Sequence, residues 1–175
     1  DTKRYVDALD IPSVDKQKVF ELSARRVYPR LDKALKDFAA LSCAEGLHLF
    51  FNIDARSLPS LSRRTSDILG GMAELGLSST QLCLEVSERS DISQDSDATR
   101  ALRHAREQGI QIALDDFGTG FSSLSQIHAL PLTKIKIDRS FVSDIDETPA
   151  SYKIVKSLLA LSRDMGLDCV IEGVE

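Results

Sequence analysis

Acids and amides recur at comparable points along this sequence, each at or just past the end of a short apolar run. Asn52 and Asp54 follow Leu47-His48-Leu49-Phe50-Phe51. Glu85 lies near the end of Gln81-Leu82-Cys83-Leu84-Glu85-Val86, and Glu88 just beyond it. Asp115-Asp116 end the run from Ile110, Lys136 sits between two isoleucines ahead of Asp138, and Glu172 and Glu175 close the chain. So many carboxylates with one lysine cannot share a small site without counter-charge. Either several take up protons or the group binds cations. Carboxylate and amide oxygens are hard ligands, suited to Mg²⁺ or Mn²⁺ and poorly suited to copper. Adjacent Asp115 and Asp116 can reach two ions on neighbouring sides, and a two-metal site activates water and clamps both oxygens of a phosphoryl displacement. Lys136 is suited to neutralising a phosphate or orienting the water. Any one of these acids fits the N-cap of a following helix as well. The repetition over five runs is what points to a site.

The runs read as strands, and helices separate them. Val19, Phe20, Leu22 and Val27, then Leu31, Leu35, Phe38 and Leu41, give helical spacing from Val14 to Ala44, with Pro29 opening a second helix and Gly46 stopping it. Further helices are predicted from Ser60 to Leu75 (Ile68, Leu69, Met72 and Leu75 inward), after a cap at Asp97 (Ala98, Ala101, Leu102, Ala105), over Phe121 to His128, and from Pro149 (Ile154, Val155, Leu158, Leu161, Met165). Five βα repeats, each about 30 residues long, are the signature of a parallel α/β sheet. Periodicity alone leaves an open doubly wound sheet and a closed barrel both standing. In either, strand carboxyl ends build the site. Side chains alternate along a strand. If Leu82, Leu84 and Val86, Ile112 and Leu114, and Ile135 and Ile137 face helices, then Glu85, Asp115, Lys136 and Glu172 share the other side.

Composition sets the outer bounds. The 175 residues include 22 basic and 27 acidic side chains, 42% hydrophobic residues and no Trp. That is a globular chain with enough apolar mass for one core, not a disordered tail or a disulfide scaffold. A net charge of −5 argues against a nucleic-acid polymer as partner. Cys43, Cys83 and Cys169 are too scattered for a disulfide framework or a metal pair, and read as buried small hydrophobes in a reducing cytoplasm. The three histidines are equally dispersed. No run approaches the roughly 20 apolar residues of a membrane helix, and no leader opens the chain. Gly118-Thr119-Gly120 fits neither GxGxxG nor the P-loop pattern, so its role is a turn into a helix capped by Thr119 or Ser122. Asp116-Phe117-Gly118 lacks the companion motifs of a kinase.

Several strings together resemble the EAL-type cyclic di-GMP phosphodiesterases. They are Leu114-Asp115-Asp116-Phe117-Gly118-Thr119-Gly120-Phe121-Ser122-Ser123-Leu124, Leu130-Pro131 and Lys136-Ile137-Asp138-Arg139-Ser140-Phe141-Val142. Phe51-Asn52-Ile53-Asp54, Leu84-Glu85-Val86-Ser87-Glu88 and Val170-Ile171-Glu172-Gly173-Val174-Glu175 agree in order and spacing. The resemblance runs from about Val19 onward. It implies an α/β fold, a TIM-like (β/α) barrel with one antiparallel strand, and hydrolysis of cyclic di-GMP to linear pGpG with two Mg²⁺ or Mn²⁺ ions. By position it implies Asn52, Glu85 and Asp115 as metal ligands and Asp116 at the second metal. It implies Lys136 on the water or phosphate, and Glu172 as general base or second-metal ligand. Glu88 would steady the loop after its strand, Glu175 would stand behind the site, and Asp138 is a supporting residue. Members of this family often dimerise and often join sensor or GGDEF domains in bacterial signalling.

Two departures qualify that expectation. The Glu-Ala-Leu that names the family is not present, and Asp7-Ala8-Leu9 is the nearest string. The last strand, with its substrate-contacting Gln, is not present either. An eight-stranded barrel typically takes about 250 residues. The chain is therefore expected to be a single EAL-like domain over 1–175 that lacks the first strand or strands and the last. A catalytically inactive receptor for the dinucleotide, or a protein-interaction module, is the alternative. An unrelated Mg²⁺-dependent aldolase-like barrel is disfavoured by the DDFGTG and KIDRSFV strings.

Overall fold

The computed structural model describes residues 29–41, 46–90, 92–93, 96–118, 124–142 and 149–173. Asp7-Ala8-Leu9, the expected helix before Pro29, Cys43, Thr119 to Ser123 and Glu175 lie outside them. Five strands form one sheet: β1 (Leu49–Asn52), β2 (Leu82–Ser87), β3 (Gln111–Phe117), β4 (Lys134–Ile137) and β5 (Asp168–Ile171). Their spatial order is their chain order, and every neighbouring pair is parallel. A doubly wound sheet reverses its strand order at a switch point. This one steps in a single direction, and right-handed crossovers then put all the connecting helices on one face. That is barrel-type winding. The antiparallel strand implied by the resemblance is not among the five described.

Helix α1 spans 29–39 and buries Leu31, Leu35 and Phe38, one residue per turn on a single stripe. It ends short of the predicted Ala44, which leaves Leu41 50% exposed instead of continuing that stripe. Helix α2 (Leu58–Glu74) starts two residues earlier than expected because Pro59 fits its first turn. It sinks Leu58, Leu61, Thr65, Ile68 and Met72 into the core. Gly76, at φ 73°, turns the chain out of this helix, a left-handed conformation that glycine adopts without steric cost.

Helix α3 (Asp97–Glu107) corrects the predicted cap. The N-cap is Ser96, whose extended backbone lets its hydroxyl oxygen accept from the Thr99 N–H at 3.2 Å. Asp97 is already helical and pairs with Arg100. Helix α4 (Leu124–Ala129) leads into β4. Helix α5 (Pro149–Asp164) also differs from its predicted face. Val155 and Ser162, seven residues apart, are the buried line, and Leu158 and Leu161 pack partly against the core. Ile154 and Met165 lie on the flanks, 44% and 37% exposed. Among the described residues no helix is long and apolar enough to cross a membrane.

The core lies between the helices and the sheet, with Leu82, Leu84, Val86, Ile112, Leu114 and Ile135 as its floor. Cys83 is fully buried on the opposite side of β2, and burial pushes its thiol up to about 12. It is a small hydrophobe with no reactive thiolate. Ser96→Ala should lower unfolding free energy by about 1 kcal/mol, and Asp97→Ala by less, in urea titrations.

Candidate active site

Asn52, Glu85, Asp115, Lys136 and Glu172 come from five different βα units, and the parallel register brings their strand ends together. Asn52 is the cross-strand partner of Glu85, and Asn52 Nδ2 donates to Glu85 Oε2 at 2.8 Å. Lys136 is the centre of the group. Its Nζ lies 2.6 Å from Glu85 Oε1, 2.8 Å from Asp115 Oδ1 and 2.6 Å from Glu172 Oε1. The Phe50 ring lies beneath, its centroid 6.0 Å from Nζ. The parity expectation therefore holds, since Glu85, Asp115, Lys136 and Glu172 meet on the side away from the helices.

Asp116 reaches the same place by breaking the strand. Leu114 pairs with Ile135 and Phe117 with Ile137, so three steps on β3 oppose two on β4. That single extra residue is a bulge. Asp116 sits in it at φ 57°, the only non-glycine residue in the left-handed region among the described residues. In a flat strand Asp115 and Asp116 would point to opposite faces. Here Asp115, Asp116 and Glu172 each offer a carboxylate oxygen within 4.8 Å of the others. Left-handed backbone costs an L-residue of order 1–3 kcal/mol, least for Asp and Asn, and such strain clusters at functional sites.

The charges do not balance. Three carboxylates meet one ammonium, and Asp116 stands beside them with the charge of Arg89 acting on it. Burial pushes the Glu85 carboxyl above the usual carboxylate range. Lys136 pulls it back, while the charges of Asp115 and Glu172 add to the upward push. Burial likewise raises Asp116, and the negative charges of Asp115, Asp138 and Glu172 raise it further. For Lys136, burial disfavours the charge, but the carboxylates of Asp115, Glu172 and Glu85 beside it together outweigh burial and hold the ammonium above its ordinary value. Glu85 Oε1 is fully buried and makes no hydrogen bond of acceptable geometry, although the ammonium lies beside it.

Other strand-end acids take the N-cap role. Asp54 caps the turn Ala55–Ser57, and its carboxylate is held low by the hydrogen bond from Arg56. Asp138 caps the turn Arg139–Phe141 by accepting from the Ser140 N–H at 2.9 Å, and hydrogen bonding from the Ser140 side chain, with this backbone bond, holds its carboxylate below the usual range. Glu88 is 4% exposed, and its Oε2 accepts from the Gly118 N–H at 2.9 Å, fixing the exit of β3. Arg139 and Phe141 stand in the KIDRSFV string that carries the resemblance, but the resemblance gives neither a role. In hindsight, the glycines right after the acids, Gly118 and Gly173, mark where other side chains press close.

Two outcomes test these electrostatics. An acid with a raised folded pKa binds its proton more tightly folded than unfolded, so its charge destabilises the fold at higher pH. Asp116→Asn, in chelator, should therefore shift the urea midpoint upward at pH 7, with the gain vanishing below about pH 3.8, the ordinary Asp value. Lys136→Met leaves three carboxylates without their cation and should cost about 3–5 kcal/mol at pH 7, partly regained on acidification as Glu85 protonates.

Comparison with known proteins finds relatives of this chain in sequence and in fold. The EAL domain family profile matches residues 18–175. A probable cyclic di-GMP phosphodiesterase, PdeG of Escherichia coli K12, is 37% identical over 131 residues, covering 75% of this chain and 26% of the relative. Cyclic di-GMP phosphodiesterase NbdA of Pseudomonas aeruginosa is 33% identical over 147 residues, covering 83% and 19%. The chain thus spans only about a quarter or less of these relatives. The crystal structure of the EAL domain of Mycobacterium smegmatis DcpA superposes with a TM-score of 0.75 at 34% identity, over 83% of this chain and 66% of that one. The calcium and cyclic di-GMP complex of Klebsiella pneumoniae BlrP1 gives a TM-score of 0.77 at 27% identity, over 95% and 40%.

Proposed function

Because the chain belongs to the EAL domain family, whose domains are TIM-like barrels, we propose that it hydrolyses cyclic di-GMP to linear pGpG with divalent cations, in bacterial second-messenger signalling. The observation that carries the reading is the meeting of Glu85, Asp115 and Glu172 on Lys136, with Asp116 folded in by its bulge. Two relatives named as phosphodiesterases and neighbours solved with calcium or manganese and cyclic di-GMP support it.

The donor set fits two Mg²⁺ or Mn²⁺ ions. Every ligand atom is a hard oxygen, the acids outnumber the ammonium, and a buried Glu85 oxygen lacks a hydrogen bond. Asn52, Glu85 and Asp115 would hold one ion, and Asp116 the other. When bound, such ions lower the pKa of a water and offset charge on the phosphate. The chain's own groups do the rest. The Asn52 amide nitrogen is held by Glu85, so its carbonyl oxygen is the atom it presents. Lys136 stays protonated at neutral pH and can donate to a phosphate oxygen or the attacking water. Glu172 has the most exposed side chain of the three acids on Lys136, at 35%, and is the proton acceptor. Water oxygen bonds to phosphorus, one P–O ester bond breaks, and the proton taken by Glu172 ends on the leaving ribose oxygen. Glu88 and Asp138 hold the loops beside these groups, with Glu175 assigned a supporting role on sequence alone. The family likeness adds homodimerisation, joined sensor or GGDEF domains and a cytoplasmic setting as parts of the same proposal.

The intact protein should turn over cyclic di-GMP only with Mg²⁺ or Mn²⁺. Asp115→Ala should lower kcat/KM at least about a hundredfold, near 2.7 kcal/mol of transition-state stabilisation. Cyclic di-GMP binding without turnover would sink the enzyme reading and leave the receptor.

A further inference from the structure

The turn Arg139–Phe141 leaves β4 right after Lys136, Ile137 and Asp138, between the exits of β3 and β5. It touches both neighbours at a glycine. Gly118 follows the Asp115–Asp116 bulge at φ 97°, and a methyl group there would fall 2.6 Å from Phe141 Cε2 and Cζ. Gly173 follows Glu172 at φ 71°, and a methyl group there would fall 2.6 Å from Arg139 Cβ. So the Phe141 ring lies on the backbone just past one pair of acids, and the Arg139 stem lies on the backbone just past the third. The turn is itself fixed. Asp138 caps its start, and the Phe141 N–H donates to the Asp138 carbonyl at 3.1 Å. On the far side of Gly118, its own N–H is held by buried Glu88. The chain segment carrying Gly118 is thereby pinned from two directions, by a carboxylate and by an aromatic ring.

We infer that this turn is a spacer. Phe141 against Gly118 and Arg139 against Gly173 set the gap across which Asp115, Asp116 and Glu172 face one another, and with it the affinity of the site for a divalent cation. Neither side chain need touch substrate or ion, so both are positioning residues. The strained backbone at Asp116 gives the spacer something to hold. Without the ring, the residues after the bulge can relax away from φ 57°, and the Asp116 carboxylate swings with them. For Arg139 the contact atom is Cβ, so the guanidinium is dispensable to this role.

The inference rests on the proposed cation-binding reading. Its test measures the cation separately from turnover. Mn²⁺ affinity is read by calorimetry on the intact protein, beside its melting temperature and the Mn²⁺ dependence of cyclic di-GMP hydrolysis. Phe141→Ala should weaken Mn²⁺ binding about tenfold and move half-maximal activation to correspondingly higher Mn²⁺, with most of the wild-type kcat regained at saturation. Phe141→Leu, which keeps apolar bulk over Gly118, should restore most of the affinity. It also serves as the readable variant if Phe141→Ala fails to fold. Arg139→Ala, which keeps Cβ, should stay within twofold of wild type. Unchanged Mn²⁺ affinity in a folded Phe141→Ala would overturn the spacer, whatever its melting temperature. Mn²⁺ binding by wild type without turnover would instead overturn the phosphodiesterase reading and leave the spacer standing.

Discussion

One ammonium group organises the strand ends. Lys136 stands where three carboxylates from β2, β3 and β5 would otherwise repel one another at close range, and it meets each of them within 2.8 Å. Removing charge from water is expensive, and only near-ideal geometry with matching hydrogen bonds recovers the cost. The sheet supplies that geometry through its register, and the isoleucines on either side of Lys136 lock β4 into the core. Asp116 adds a fourth carboxylate beside the three, and there the positive charge of Arg89 works against the repulsion of Asp115, Asp138 and Glu172.

The balance explains why the same residues read as both structural and chemical. Lys136 holds the acids in the absence of cations and is aimed at their shared focus. On the proposed reading, a cation held by these acids would share that neutralising role and leave the ammonium able to donate to a phosphate. Glu85, which is nearly inaccessible, and Glu172, which is partly open, differ in burial more than in chemistry. That difference separates a residue suited to holding an ion from one suited to moving a proton.

Much of this was legible in the residues. Alternation in Leu82 to Val86 and Ile135 to Ile137 placed Glu85 and Lys136 on the side away from the helices, because a strand has only two faces. The winding was not legible in the βα rhythm, which barrel and doubly wound sheets share; the family resemblance implied the barrel, and the strand order agrees with it. Asp54 and Asp138 looked like members of the acid group, yet a short extended residue before a tight turn caps it, and local geometry won. The Asp116 bulge was hidden for a related reason. A one-residue insertion depends on the neighbouring strand's register, which no window of sequence contains. Ile154 and Met165 missed the core because the buried line of α5 runs through Val155 and Ser162, a polar residue that satisfies its hydroxyl on the Leu158 carbonyl at 2.9 Å.

The strand order has a consequence for how the molecule is made. Apart from consecutive Asp115 and Asp116, the acids arrive on different βα units, so the group is complete only when β2, β3, β4 and β5 have paired. Contacts of such wide sequence separation form late, after local helices and adjacent strand pairs have paid for loop closure. The like charges therefore meet in full only where β4 has brought Lys136 between the strands that need it.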